Sequence, residues 1–291
     1  MLGLGLNIQP RVVGGLDPAT QAYVNNSGFT NAALILAFDK HIKYLKDQSL
    51  FSLITASYHG VTDLTGSPTN AQMLGQMKLN MVNPLDTDAA FRLSFANNPT
   101  ASNLGFKCNG TTQFANTFIV PSTHLTLNEL TLVTYCNDTT NKASAAEVGV
   151  TTDSPGRWIW HSPRFNGASG GNYGALNDGG SGTFAASVGQ AIDSLMSLNR
   201  TNSTQLRQRR NGVQTFALTL ASTNLPTRSI YLGGIQNNLG NMVYGSDRRI
   251  QAATIAKFSD VQLALYEASV NTLQGEIETA LGLGKGTRKR Y

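Results

Sequence analysis

The feature that most constrains this chain is its habit of alternating apolar and polar residues in short runs, each closed by a turn-forming residue. In GFKCNGTTQFANTFI, Gly105 to Ile119, the alternation runs on both sides of Asn109-Gly110. A period of two sends successive side chains to opposite faces of a pleated strand, so such runs predict sheets. Comparable runs follow one another: AFRLSF (Ala90 to Phe95), TQFANTFIV, ELTLVTYC (Glu129 to Cys136), AEVGVTT, RWIWHS, GTFAASV, SLMSLNR, VQTFALTL, SIYLGG and RRIQAATIAKF. Many short strands bounded by Gly, Asn, Asp, Ser or Pro imply an all-β body, a two-sheet antiparallel jelly-roll sandwich. Asn109-Gly110 predicts a type I′ hairpin, because both central positions of that turn need positive φ, which Asn tolerates and Gly accepts freely. On the return strand Phe114, Phe118 and Val120 share a face with Asn116, and Ala115, Thr117 and Ile119 share the other. Both faces of that strand are therefore expected to be partly covered.

Two segments break the period of two. Leu34, Phe38, Ile42 and Leu45 fall on one helical face and Asp39, Lys40, Lys43, Lys46 and Asp47 on the other, with Thr30 or Asn31 placed to cap the start. Near the other end Ser259 stands three residues before Gln262, the spacing of a capping box, and Tyr266, Val270, Leu273, Ile277 and Leu281 then recur at helical intervals. The sandwich is thus expected to carry an N-terminal helix and a C-terminal helix. Between Ser49 and Tyr58 periodicity fits helix and strand equally. Residues 1–28 hold glycines, Pro10, Pro18 and Asn25-Asn26 without a sustained period. They are expected to form an extended arm, either a device for assembly or a frayed terminus. Residues 29–283 then make one domain and 284–291 a basic tail.

Composition narrows the function. Charged residues are only 13% of the chain and glycines number 29, which suits turns and pleated surfaces. The net charge of +5 comes largely from Lys285, Arg288, Lys289 and Arg290, read as a solvated tail and not as a nucleic-acid arm, and from Arg207, Arg209 and Arg210 in one segment, a localised excess that is weak evidence for nucleic acid. Cys108 and Cys136 are too few for a disulfide framework. MLGLGLNIQP has no basic n-region and too short an apolar run for a secretory signal, and the longest apolar stretch, AALILAF, falls far short of a membrane span.

The order of these segments resembles the laminin-G-like, concanavalin A-like β-sandwich, and more narrowly the laminin-G-like virion proteins of phages that infect Bacteroidetes and related bacteria. The likeness is carried by KLNMVNPLDTDAAFRLSF (Lys78 to Phe95), GFKCNGTTQFANTFIVPST (Gly105 to Thr123), RRNGV (Arg209 to Val213), SIYLGG (Ser229 to Gly234) and FSDVQLALYEA (Phe258 to Ala268), spread from about Ala32 to Leu283. The resemblance implies an Asn-Gly hairpin at RRNGV, and Ile230 and Leu232 turned inward before a tight exit at Gly233-Gly234. It also implies a structural protein of the virion, a capsid decoration, fibre or spike component. Its partners would be other virion proteins, copies of itself and host surface glycans. The superfamily also holds lectins and glycosidases, so fold alone does not choose among them.

Motifs for catalysis are missing. A retaining glycosidase needs two carboxylates set close together, commonly as E-x-D-x-E or E-x-D-x-x-E on a strand; Glu129, Glu147, Glu267, Glu276 and Glu278 never meet that pattern. His41, His59, His124 and His161 lack zinc-ligand spacing, and His41 is placed at a helix edge. Asp86 and Asp88 match turn chemistry better than a calcium site. No G-x-S-x-G elbow occurs, and the Gly-Lys of GLGKGT is followed by Gly after a helix, unlike a phosphate loop. No metal or cofactor is assigned, and the expectation is a non-enzymatic protein. The best candidate surface is RWIWHSPRFNGASGGNYGALNDGG. Trp158, Trp160 and Tyr173 offer flat faces for sugar rings, and Asn166, Asn172 and Asn177 offer amides. The competing reading makes the Trp158–Trp160 face part of the core and the Gly-rich loop a connection.

Overall fold

The computed structural model describes residues 15–137, 145–152, 157–162, 173–178 and 193–288. In chain order its elements are α1 (Pro18–Ser27), α2 (Ala32–Asp47), β1 (Ile54–His59), α3 (Asn70–Met77), β2 (Ser94–Ala96), β3 (Thr100–Ser102), β4 (Gly105–Lys107), β5 (Phe114–Asn116), α4 (Pro121–His124), β6 (Leu130–Asn137), β7 (Val148–Thr152) and β8 (Arg157–Ser162). There follow β9 (Tyr173–Asp178), β10 (Asp193–Arg200), β11 (Gln205–Arg210), β12 (Val213–Thr219), β13 (Tyr231–Leu232), β14 (Ile235–Gln236), β15 (Met242–Val243), β16 (Arg249–Ala256) and α5 (Asp260–Ala280). The predicted strand GTFAASV lies outside the described residues.

The strands form two sheets stacked as a β-sandwich. The first runs β12-β11-β10-β6-β16-β4-β3, with β1 also paired to β16. One edge of β16 holds β6; the other holds β4 at Arg249 and Ile250 and then β1 from Ala252 to Ala256. The second sheet joins β2, β5, β13, β7, β8 and β9, with β14 also paired to β7 and β15 to β14. Its pairings are antiparallel except β7 with β14, which run parallel at Val150 and Gln236.

One apolar cluster fills the space between the sheets, including Phe106, Leu132, Val150, Ile159, Leu176, Leu198 and Ile255. A second lies on the far face of the first sheet, where α1, α2 and α5 pack on Val133, Tyr135, Leu195 and Ala252. The molecule therefore has three layers: helices, first sheet, second sheet. The predicted apolar stripes supply the helix layer. Leu34, Phe38, Ile42 and Leu45 of α2 are fully buried, as are Tyr266 and Ile277 of α5. Each such side chain contributes roughly 1.5–3 kcal/mol of transfer free energy. Asn31, not Thr30, caps α2, its Oδ1 accepting from Ala33 and Leu34 N–H, and Ser259 and Gln262 close the expected capping box on α5.

Several expectations need correction. Within the stretch read as an extended arm, Pro18–Ser27 is a helix, started by Asp17 and Pro18 and stopped by Gly28 in the left-handed region at φ +73°. Tyr23 and Val24 bury it against Phe29 and Phe38. Asn70–Met77 is a helix that alternation did not suggest, and its capping box, Thr69 with Gln72, stands in the sequence. AFRLSF opens on a 3-10 turn, Asp88–Ala90, and only then becomes β2. The ambiguous stretch resolves into a 3-10 turn, Phe51–Leu53, followed by β1. Arg288, assigned to a solvated tail, is fully buried; its Nε donates to Gln274 Oε1 at 2.7 Å and its Nη1 to the Gly60 carbonyl at 3.0 Å.

The two Asn-Gly pairs behave differently. Asn211 and Gly212 both take positive φ, 49° and 79°, and join β11 to β12 as a hairpin. At Asn109-Gly110 only Gly110 does so, at 73°, and the flanking strands β4 and β5 belong to different sheets. Asn109 Oδ1 instead accepts from the N–H groups of Thr111, Thr112 and Gln113, turning the chain across the sandwich. The return strand is cut short because Phe118 takes φ +58° while Thr117 bonds to the Ile230 carbonyl. The SIYLGG expectation matches: Ile230 and Leu232 are fully buried, and a Cβ on Gly233 would lie 2.6 Å from Cys108 Sγ.

Gly105 marks the tightest backbone junction. A Cβ there would collide with the Ile250 carbonyl oxygen, and φ is +117°. Gly105→Ala must move β4 away from β16, so a loss of ~3 kcal/mol or more is expected in chemical denaturation, whereas Gly75→Ala, inside α3 with open space for its Cβ, is expected to gain up to ~1 kcal/mol.

Candidate glycan-binding face

Strands β7, β8 and β9 form one end of the second sheet. Trp158 pairs with Thr151 and Asp178, and Trp160 with Gly149 and Ala175. Alternation sends Val150, Ile159 and Leu176 into the intersheet core, where all three are fully buried. The tryptophans therefore occupy the opposite face. Both are half-buried, and neither joins an apolar cluster. Their ring centroids lie 6.4 Å apart with planes inclined at 58°. The two indoles are thus not part of the intersheet core.

Small neighbours make room for the rings. A Cβ on Gly149 would lie 2.7 Å from Trp160 Cβ and 2.9 Å from Ile235 Cγ1. Across Gly149 on the same face stands Tyr231, stacked on Phe114 with centroids 4.1 Å apart and planes 12° from parallel. Tyr231 Oη accepts from Gln236 Nε2 at 2.6 Å, which fixes the ring. An aromatic row thus crosses four adjacent strands: the tryptophan pair on β8, Tyr231 on β13 and Phe114 on β5, with Gly149 on β7 between.

The other named residues fare differently. Tyr173 opens β9 opposite Ser162, with its side chain outside the described set, and Asn172 and Asn166 lie outside the described residues. Asn177 is buried, with φ +60°, and its Nδ2 donates to the Leu127 carbonyl at 2.7 Å, so its amide serves the fold and not the surface. Tyr231 and Phe114 were missed as members of the face, because their spacing from Trp158 in sequence gives no sign that β13 lies beside β7.

Two buried glutamates are held by arginines. Glu147 and Arg248 form a fully buried ion pair, to which Ser246 Oγ adds a hydrogen bond at 3.0 Å. Glu267 accepts from Arg209 Nε at 2.8 Å and from Ser197 Oγ at 2.6 Å. Asp86 pairs with Lys78 and Arg92, and Asp88 with Arg92, which fits turn chemistry. Both cysteines are buried and neither is in a disulfide, and burial pushes the Cys108 thiol up to about 12. Among the described residues no cluster of three or more His, Cys, Asp or Glu is placed to hold a metal, and no helix is long and apolar enough to cross a membrane.

No protein-family model matches this chain, and no curated protein matches it. Solved structures with a similar fold include domain 4 of AbnA, an extracellular arabinanase from Geobacillus stearothermophilus, in complex with arabinotriose. It is 13% identical, with a TM-score of 0.42, over 72% of this chain and 86% of that one. The CBM40 of the Ruminococcus gnavus IT-sialidase, bound to α2,3 sialyllactose, is 20% identical, with a TM-score of 0.35, over 47% of this chain and 81% of that one. A Trypanosoma rangeli sialidase in complex with sialic acid is 9% identical, with a TM-score of 0.42, over 81% of this chain but 39% of its own length. Likeness at this level carries nothing about ligand or activity, and the two-sheet sandwich stands on its own strand pairings.

Beneath the tryptophan face His161 points inward from β8. Its Nδ1 lies 3.3 Å from Thr134 Oγ1, and burial lowers its pKa to about 3. His41, found in the α2–α5 interface and not at a helix edge, is lowered by burial to about 3, and burial also depresses His59. A histidine kept neutral when folded binds fewer protons than when unfolded. Its contribution is complete above the unfolded value, roughly 6.5, and is lost as pH falls toward the folded one. Urea denaturation is expected to show stability falling from pH 6.5 to pH 4, with each of the three approaching ~1.4 kcal/mol per pH unit. Glu147 and Glu267, raised by burial, act in the opposite direction. His161→Gln isolates the effect by flattening the slope by about one such increment.

Proposed function

We propose that this protein is a non-enzymatic β-sandwich that binds carbohydrate on the Trp158–Trp160 face, and that it does so as a structural component of a phage virion. The observation carrying the first part is the placement of the two indoles: side by side, half-buried, and on the sheet face away from the core. A core tryptophan buries its whole ring, whereas a half-open pair on a rigid strand presents apolar faces against which the C–H faces of a sugar ring can stack. Supporting a binding role over hydrolysis, Glu147 and Glu267 are each engaged by an arginine and a serine, which leaves neither poised as acid or nucleophile. The virion setting, with contacts to sister copies and other virion proteins, is supported by the sequence resemblance from Lys78 to Ala268. Many copies on one particle would add weak contacts through avidity.

Trp158→Ala and Trp160→Ala are each expected to weaken binding on a glycan array about thirtyfold, from a loss of ~2 kcal/mol, while thermal unfolding stays within a few degrees of the parent. A folded parent that binds no glycan sinks the first part. Mass spectrometry of purified particles tests the second, which fails if the polypeptide is absent from them.

A further inference from the structure

Strand β12 ends one side of the first sheet. Its inner edge pairs with β11, and among the described residues no strand pairs with its outer edge. The ladder to β11 continues past Thr219, because Leu220 N–H donates to the Thr204 carbonyl at 2.7 Å and Ser222 N–H to the Ser203 carbonyl at 2.8 Å. In an antiparallel pair the main-chain groups of successive residues point to alternate sides. With Leu218 turned to Leu206 and Leu220 to Thr204, the N–H and C=O groups of Ala217, Thr219 and Ala221 point away from the sheet. Native sheets protect such an edge with charge, proline, a bulge or a covering segment. From Val213 to Ser222 there is no charged residue and no proline. The bulge at Thr215 sits toward the hairpin and leaves Phe216 to Leu220 in unbroken register with β11. Ala217, Thr219 and Ala221 are exposed, while Leu218 and Leu220 lie on the other face, partly buried against the intersheet core.

The order of side chains along this edge says what fits it. Ala217-Leu218-Thr219-Leu220-Ala221 reads the same in both directions. A second copy laid antiparallel on the edge, with a twofold axis through Thr219, sets Ala217 opposite Ala221, Leu218 opposite Leu220, and Thr219 opposite its own counterpart. The residues whose main-chain groups point outward then meet one another, so all three alanine and threonine pairs can exchange backbone hydrogen bonds. The leucines fall in the closer, non-hydrogen-bonded pairs, where they carry the intersheet core of one copy on to the next. An isologous contact requires such self-complementarity, whereas a partner of unrelated sequence does not. Charge does not oppose the contact, since Arg207 and Arg209 on the adjacent strand are neutralised by Asp260 and Glu267.

We propose that the outer edge of β12 is a self-association surface, on which two copies of this chain join their first sheets into one antiparallel sheet across a twofold axis at Thr219. A strand pair buries less than a standard interface, so sedimentation of the full chain is expected to show a monomer–dimer equilibrium at micromolar concentrations. Thr219→Lys and Thr219→Glu each place like charges directly opposite on the axis and should each weaken dimerisation by about tenfold or more. Thr219 is exposed, so both variants should keep the parent's melting temperature. An equimolar mixture of the two should recover the dimer as a heterodimer, because the opposed charges then attract. In hydrogen exchange the Ala217, Thr219 and Ala221 amides should be slow in the dimer and fast in the dilute monomer, with Leu220 slow in both. A chain that stays monomeric, a dimer indifferent to both replacements, or a mixture that fails to associate overturns the surface. Slow exchange of Ala217 and Thr219 in the monomer overturns it as well, since the chain would then cover its own edge. The glycan reading of the tryptophan face is tested separately and stands or falls without this contact.

Discussion

Burial on both faces of the first sheet's central strands, β6, β10 and β16, is the constraint around which the rest is arranged. These strands carry apolar residues on each side, Leu132 and Ile255 toward the second sheet, Val133, Tyr135 and Ala252 toward the helices. With no face left for water, every polar side chain there needs a partner inside the protein. The hydroxyls of Ser57, Thr254 and Tyr266 bond to one another beneath α5, and Thr131 Oγ1 donates to Asn199 Oδ1 at 2.7 Å. Arg200 reaches from β10 to the Leu176 carbonyl on β9 at 2.7 Å and so ties one sheet to the other. The second sheet's outer face belongs to neither apolar cluster, and although Ala175, Tyr231 and Ile235 are buried there, Trp158 and Trp160 keep part of their surface exposed. That asymmetry leaves room for a surface of the proposed kind on the second sheet and none on the central strands of the first.

The legible parts of the fold were those in which local signals and long-range packing agree. The stripes of α2 and α5 were plain because one face of each helix meets the sheet and the other meets water. The RRNGV hairpin was plain because its flanking strands continue on both sides of a turn that needs two positive φ angles. GFKCNGTTQFANTFI misled because alternation fixes which face a side chain takes within a strand, not which sheet the strand joins. Asn109 turns the chain with its side chain as readily as with its backbone, and sequence does not separate the two. The helix Asn70–Met77 was hidden by Gly75 and by its brevity, although Thr69 and Gln72 announced its start.

The candidate site was legible in its indoles and not in its surroundings. Trp158 and Trp160 share a face on any strand, so alternation sufficed for them. Which face that would be depended on Ile159 and Leu176 turning inward together, a matter of pairing between strands. Tyr231 arrives from more than 60 positions later in the chain, brought in beside β7 by β13. Asn177 was misassigned for a related reason: its left-handed backbone and its bond to Leu127 turn it away from the surface that its neighbours in sequence occupy.

The position of β16 bears on how the chain reaches this state. It lies between β6 and the pair β1 and β4, so the middle of the first sheet is filled by residues 249–256, while its partners come from as early as Ile54. During synthesis β6 and β1 emerge long before the strand that joins them, each with an unsatisfied edge. Such high contact order slows closure and leaves nascent chains sticky. A ribosome stalled before residue 249 would hold two half-sheets with nothing to zip them together.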